Sequence, residues 1–218
     1  QERNAWAVVM KALAEASTNG LSHVITATTA NVFQLDDMNR LMTRIRRINV
    51  SFAGGTPDAD YSSGLTDLFV SPEIKEEIRS FAYEPMNTRA VPNTDESTAV
   101  PLPESIREEV FRNAGVQEIY GVAIHELLEL GDAQKYNLLF DNFFTGTFTN
   151  ATDQILIGVD RTREAAIRAL ETDPESNSTF SVQPDDQFLA RSDKTGWYGN
   201  ICEGRVIIDS RAFAGIIV

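Results

Sequence analysis

FSVQPDDQFLARSDKTGWYGNICEGRVIIDSRAFAGIIV, residues Phe180 to Val218, closes the chain, and its reading decides the fold. Two long extended segments flank a polar break at Arg191 to Gly196. The second is rich in β-branched and aromatic residues: Trp197, Tyr198, Ile201, Val206 to Ile208, Phe213 and Ile216 to Val218. Apolar surface of that extent is unfavourable in water. The helices and strands upstream are therefore expected to be built around this ribbon and to bury it, with Trp197 and Tyr198 against the first helix near Trp6, Val9 and Leu13.

Outward from the ribbon, apolar residues at Trp6, Val9, Met10, Leu13 and Ala16 predict a helix over Asn4 to Ala16, stopped by Asn19-Gly20. Val24 to Thr29 reads as a short extended stretch. Asp36 and Asp37 announce a second helix with a core face of Leu35, Met38, Leu41, Met42, Ile45 and Ile48. Arg44, Arg46 and Arg47 are expected at its end, where they complement the helix dipole. Gly54 to Gly64 is a polar loop. Leu68-Phe69-Val70 predicts a short strand leading into a helix capped by Ser71, with Pro72 at its first position and Ile74, Ile78 and Phe81 buried. Glu84 to Pro103, with Pro85, Pro92, Pro101 and Pro103, is expected as a surface excursion with no regular element. Glu104 to Asn113 predicts a helix, and Ile119 to Ile124, Tyr136 to Phe140 and Ile155 to Val159 predict strands. Asp160 is expected to cap a helix through Ala165, Ala166, Ile167 and Leu170, followed by a surface loop at Asp173 to Ser178. Strands and helices do not alternate regularly, which favours mixed α+β over a doubly wound parallel sheet.

At 218 residues the chain is long enough to bury a core, and 42% hydrophobic with 23% charged residues places it among globular rather than disordered chains. A formal charge of −13 gives its average field no attraction for nucleic acid or anionic membrane. The lone Cys202 excludes an intramolecular disulfide, and with only His23 and His125 beside it argues against a Cys/His metal site. Its apolar neighbours predict a buried, inert thiol. No apolar run reaches the roughly 18 to 20 residues that span a bilayer, and QERNAWAVVM lacks a signal-peptide pattern, so a soluble, unsecreted chain is expected. A helical pattern running almost from Gln1 predicts that the chain starts within a longer protein, through truncation or maturation cleavage.

Gly196-Trp197-Tyr198-Gly199, then Glu203-Gly204, then Ile208-Asp209-Ser210-Arg211-Ala212-Phe213 resembles the closing segment of tailed-phage major capsid proteins of the HK97 fold. Upstream, Trp6 to Ala16 looks like all or the end of the family's spine helix. Leu35 to Ile48 and Ser71 to Phe81 look like its two axial-domain helices. Tyr120-Gly121-Val122 with Leu130-Gly131-Asp132 and Tyr136 to Asp141 looks like the axial sheet, and DQILIGVD, Asp153 to Asp160, is similar to the strand that begins the return. The resemblance spans nearly all of the chain but only the later part of a full member. An N-terminal arm and an extended loop are expected before Gln1, and without them the chain is expected to stay monomeric or to form small rings.

What the resemblance implies is an HK97-like α+β subunit. A spine helix and long β-ribbon make a peripheral domain, and a mixed sheet with flanking helices makes an axial domain. Residues 1–33 would be the spine segment, 34–177 the axial domain, 178–205 the long peripheral strands and 206–218 a terminal strand returning to the axial sheet. The implied function is a structural subunit of an icosahedral capsid, self-assembling into hexameric and pentameric capsomers around double-stranded DNA. It would act in the virion, and in the host cytoplasm during assembly. Partners would be copies of itself and other virion or scaffolding proteins, with no sequence-specific nucleic-acid binding and no membrane. No catalytic, cofactor-binding or metal-binding residue is implied. An encapsulin-type nanocompartment is the alternative within the fold, and a soluble hydrolase with an unrecognised site is the alternative of another class.

Several patterns mimic chemistry. Lys194-Thr195-Gly196 matches the KTG triplet of serine β-lactamases, but no serine has lysine three places later and Ser192-Asp193-Lys194 is not Ser-Asp-Asn, so a polar hairpin turn is expected. His125-Glu126 opens like HExxH, yet Glu129 stands where the second histidine must be, and the segment leaves a strand. Asp36-Asp37 reads as helix-start charge, and Asp185-Asp186 as polar surface beside Pro184.

Overall fold

The computed structural model describes residues 2–17, 23–51, 64–80, 88–89, 98–99, 108, 118–172, 178–185 and 196–218. They divide into two units, Gln1–Ala165 with Asp209–Val218, and Ala166–Ile208.

The first unit is organised on a six-stranded mixed sheet. Its strands are β1 (Val24–Thr26), β2 (Asp67–Val70), β5 (Glu118–Ile119), β6 (Val122–Glu126), β7 (Ile155–Val159) and β12 (Phe213–Ile217), in the order β1-β12-β7-β2-β6-β5. β1 runs parallel to β12 and β2 parallel to β6, while β12–β7, β7–β2 and β6–β5 are antiparallel. Tyr120 and Gly121 both have positive φ, which closes the β5–β6 hairpin in two residues. The short pair β3 (Thr88–Arg89) and β4 (Thr98–Ala99) lies within the proline-bearing stretch and is antiparallel. The rest of Glu84 to Pro103 lies outside the described residues, as do the predicted loop before Gly64, Phe81 and the predicted helix Glu104 to Asn113 apart from Glu108.

Successive strand residues point to opposite faces, so each face recruits its own helices. Leu68, Val70, Val122, Ile124, Leu156, Ala214 and Ile216 share one core with helices α2 (Leu35–Ser51) and α3 (Pro72–Ser80). Met38, Leu41, Ile45, Ile48, Ile74 and Ile78 are the buried helix positions, as the 3.6-residue spacing predicts. The opposite face carries α1 (Glu2–Ala16) and α4 (Lys135–Phe143). There the Trp6 ring meets Phe69 at 5.1 Å and Tyr136 at 5.7 Å. Gly215 lets α1 approach: a Cβ there would sit 2.9 Å from Leu13 Cδ2 and 3.0 Å from Ile155 Cδ1.

The helix starts follow from their caps. Ser71 Oγ accepts the Ile74 N–H at 3.2 Å ahead of Pro72. The buried Asp37 accepts from the Gln34 N–H at 3.1 Å, the returning half of a capping box, and also from Thr28 N and Thr28 Oγ1. At the far end the expectation fails. α2 continues to Ser51, so Arg44, Arg46 and Arg47 stand before its last turn, which holds no basic residue.

Two further expectations are corrected. Tyr136 to Phe140, expected as a strand, is helical in α4. Tyr136 and Phe140, four residues apart, are buried, while Leu138, which a strand would place on the same face, is 48% exposed. Ala165 to Leu170, expected as a helix, includes strand β8 (Ala166–Leu170). Asp160 caps a turn there, its Oδ1 accepting Thr162 N–H and Oγ1–H, and the following residues pair with a later strand instead.

The second unit consists of two antiparallel ladders. β8 pairs with β11 (Glu203–Ile207), and β9 (Ser181–Asp185) pairs with β10 (Gly196–Asn200). Here the central packing expectation is overturned. Trp197 is 68% exposed and Tyr198 64%, and the partners of Trp6 are Phe69 and Tyr136. Among the described residues of the closing ribbon only β12 enters the sheet core, because only β12 has a strand on each side.

Candidate functional site

The exposed ladders are the candidate interaction surface. Ile167 and Val206 are directly opposite each other across β8–β11, and both are about half exposed. In β9–β10, Tyr198 faces Gln183 and Trp197 faces Pro184, so the two large aromatics leave opposite faces of the ladder. Phe180 lies over Gly199, where a Cβ would meet its ring at 3.1 Å, yet the ring is itself 53% exposed.

Arg168 and Arg205 stand opposite each other in register, a like-charge pair that destabilises a ladder unless bridged. Glu203 bridges them: Oε2 lies 2.7 Å from an Arg168 guanidinium nitrogen and Oε1 2.9 Å from one of Arg205. Burial by itself would raise this carboxyl's pKa, but hydrogen bonds and charge from the two arginines outweigh it and hold the pKa below its ordinary value. Sequence spacing gave no hint of this clamp, since it depends on the β8–β11 register and β8 was expected to be helical.

Cys202, expected buried, is exposed between β10 and β11. A hydrogen bond to Glu171 and that carboxylate's charge raise the thiol's pKa, which disfavours the nucleophilic thiolate. Gly196 opens β10, whereas Lys194 and Thr195 lie outside the described residues, as does Asp186.

In the first unit His125 sits on β6 as its segment predicts. Its Nε2 donates to Asp67 Oδ1 at 2.7 Å, since a carboxylate only accepts, and Arg161 approaches the same oxygen at 3.0 Å. Phe69 stacks on the imidazole at 5.1 Å. Among the described residues no other side chain hydrogen-bonds to His125, so the cluster ties β2 to β6 without presenting a nucleophile. Glu126 pairs with Lys75 and Glu129 with Lys135, each at 2.7 Å. Among the described residues no group of three metal-ligating side chains converges, and no helix is long and apolar enough to cross a membrane.

His23, which the sequence did not single out, is fully buried. Its Nδ1 donates to Phe213 O at 2.9 Å, leaving Nε2 as a bare lone pair with no partner among the described residues. Burial lowers its pKa below 6.5, assisted by the charge of Arg44 and opposed by the Phe213 carbonyl.

No protein-family model matches the chain, and no curated protein matches it. Among solved structures it is similar to the holo-SrpI encapsulin complex from Synechococcus elongatus PCC 7942, with a TM-score of 0.43 and 10% identity, covering 89% of this chain and 52% of that one. The chain thus spans about half the length of that neighbour.

Proposed function

We propose that the chain is a structural subunit of a self-assembling protein shell. The exposed apolar ribbon carries this reading: Phe180, Trp197, Tyr198, Val206 and Ile208 lie on or beside two-stranded ladders, all more than half exposed. A two-stranded ribbon is marginal in water by itself, and open edges with apolar faces are surfaces for pairing with another chain. In a closed particle every copy offers the same ribbon, so modest contacts are multiplied by symmetry. The role is mechanical, and no group on the chain is assigned a bond-making step.

The finer reading is a tailed-phage capsid subunit of the HK97 kind, drawn from the residues between Gly196 and Phe213. It would form hexameric and pentameric capsomers around double-stranded DNA, with scaffolding and other virion proteins as partners, in the host cytoplasm and then in the virion. A second reading, an encapsulin-type compartment enclosing protein, draws on the formal charge of −13, which offers phosphate no average attraction. Sedimentation and negative-stain imaging of the purified protein test the common claim. Monomers or small rings are expected from these 218 residues and closed shells from a form extended by the arm and loop, and a monomer from the extended form at every concentration and salt overturns it. Nuclease-protected DNA inside the particles supports the capsid reading, and protected protein supports the compartment. Labelling by a serine-hydrolase probe would revive the catalytic alternative.

A further inference from the structure

An open groove of about 390 Å³ runs along the outer side of α2 beside the edge strand β1, floored by Ile25 and lined by Asp36, Arg40, Thr43, Arg44 and Arg47. Positions 40, 44 and 47 are spaced i, i+4, i+7, which puts three guanidiniums on one helix face. Arg40 is held in place: its guanidinium donates to Thr26 O at 3.1 Å, Thr28 Oγ1 at 2.9 Å and Asp37 Oδ1 at 3.1 Å. Asp37, already accepting three other hydrogen bonds, is fully buried, whereas Arg40 and Arg47 are exposed. Arg44 and Arg47, with Arg46, were expected only to complement the helix dipole, a role removed by the extension of α2 to Ser51.

We propose that this groove receives the carboxylate-bearing surface of a second copy of the chain. The inference rests on the self-association reading and names where one contact falls. The chain carries 32 acidic against 19 basic side chains, so two copies repel at long range and associate only where opposite charges meet within about a Debye length, roughly 8 Å at physiological salt. α2 concentrates four of the basic side chains within eight positions, and on any second copy carboxylates outnumber basic groups 32 to 19. Guanidinium forks match carboxylates in bidentate geometry, and β1 beside them is an outer strand of the sheet. A contact from a groove on one copy to a different surface on the next is heterologous, the type that closes into rings.

Sedimentation velocity of the intact 218-residue protein, run at about 0.05 M and about 0.5 M salt, tests this. Arg44→Glu with Arg47→Glu is compared with wild type, with Arg44→Lys plus Arg47→Lys, and with Arg3→Glu, which changes charge on a different helix. Thermal melts report that each variant folds, and Arg47→Glu alone serves if the double reversal does not. Association is expected to weaken roughly tenfold or more at low salt in the α2 reversal, and to be largely retained in the lysine variant and the Arg3 control. Unchanged association in a folded α2 reversal overturns the groove assignment while leaving self-association standing. An equal loss from Arg3→Glu overturns it in favour of net charge. If wild type is monomeric in every condition, the same comparison is run in a form extended by the arm and loop, and a monomer there overturns both readings. Random-sequence duplex DNA is the last probe: anisotropy showing that wild type binds it and the α2 reversal does not assigns the groove to nucleic acid and overturns the second-copy occupant.

Discussion

β12 and β10 are five-residue strands from the same closing ribbon, FAGII and GWYGN, and they end in opposite environments. Every residue of β12 is buried, whereas β10 leaves Trp197 and Tyr198 mostly in solvent. Composition does not separate them, since both carry large aromatics, Trp197 and Tyr198 in β10 and Phe213 in β12. Neighbours do. β12 lies between β1 and β7 with helices on both faces of the sheet, while among the described residues β10 pairs with β9 alone. An apolar strand is buried when the chain supplies a strand on each edge and a layer on each face. Where it supplies one strand, the surface is left for something else.

The largest test of the contrast is truncation on each side. Leu156→Ala, in the shared core beneath α2, is expected to cost about 2–5 kcal/mol in urea or thermal unfolding. Trp197→Ala is expected to change the unfolding free energy of the unassociated chain by no more than about 0.5 kcal/mol and to act on association. A large unfolding cost from Trp197→Ala would erase the distinction. A smaller effect is expected from Asp37→Ala, which strips the acceptor from Thr28, Gln34 and Arg40 and should cost about 2 kcal/mol by the same measurement, with no counterpart in the ribbon.

Acid should act on the first unit through His23. Because burial lowers its pKa below 6.5, the unfolded chain takes up a proton that the folded chain resists. The stability that follows from keeping the ring neutral is complete above pH 6.5 and is lost as pH falls below it. Melting temperature should therefore drop through that window in wild type and drop less in His23→Phe. Glu203, whose pKa is also lowered, acts in the same sense in a more acidic window: the stability of the β8–β11 clamp is complete above the ordinary carboxylate range and is lost as pH falls through the depressed value. The smallest expected effect on the core comes from replacing residues 166–208 by a short flexible linker. Ala165 O and Asp209 N already meet at 3.4 Å, so the first unit should melt almost unchanged while association is lost. Collapse of the first unit in that variant would show that the ribbon is part of its fold.

Much of the first unit was legible in the sequence, because its signals are local and periodic. The α2 face from Met38 to Ile48 repeats with the helical period, Ser71-Pro72 carries the capping chemistry that starts α3, and Ile155 to Val159 is the short continuous apolar run of a strand buried on both faces. Failures came where a partner distant in the chain chooses. Ala166 to Leu170 contains good helix formers and becomes a strand because β11 pairs with it. Tyr136 to Phe140 is short enough to suit either period, and its burial pattern decided for helix. The ribbon's exposure was illegible for the same reason: a sequence shows that residues are apolar and not whether the chain owns the surface that covers them. The Glu203 clamp and the α2 groove depend on register and on a neighbouring strand edge, and neither carries a motif.

The parallel pairing of β1 with β12 also has a consequence in time. Val24 meets Gly215, and His23 reaches Phe213, 190 residues along the chain, so β1 waits for a strand made long after it. Until β12 arrives, β1 has no sheet neighbour and β7 has one bare edge, which exposes ladder groups to other chains during synthesis. Pairings this distant in sequence also close slowly. Refolding should therefore be slower and more prone to aggregate than the length of the chain alone suggests.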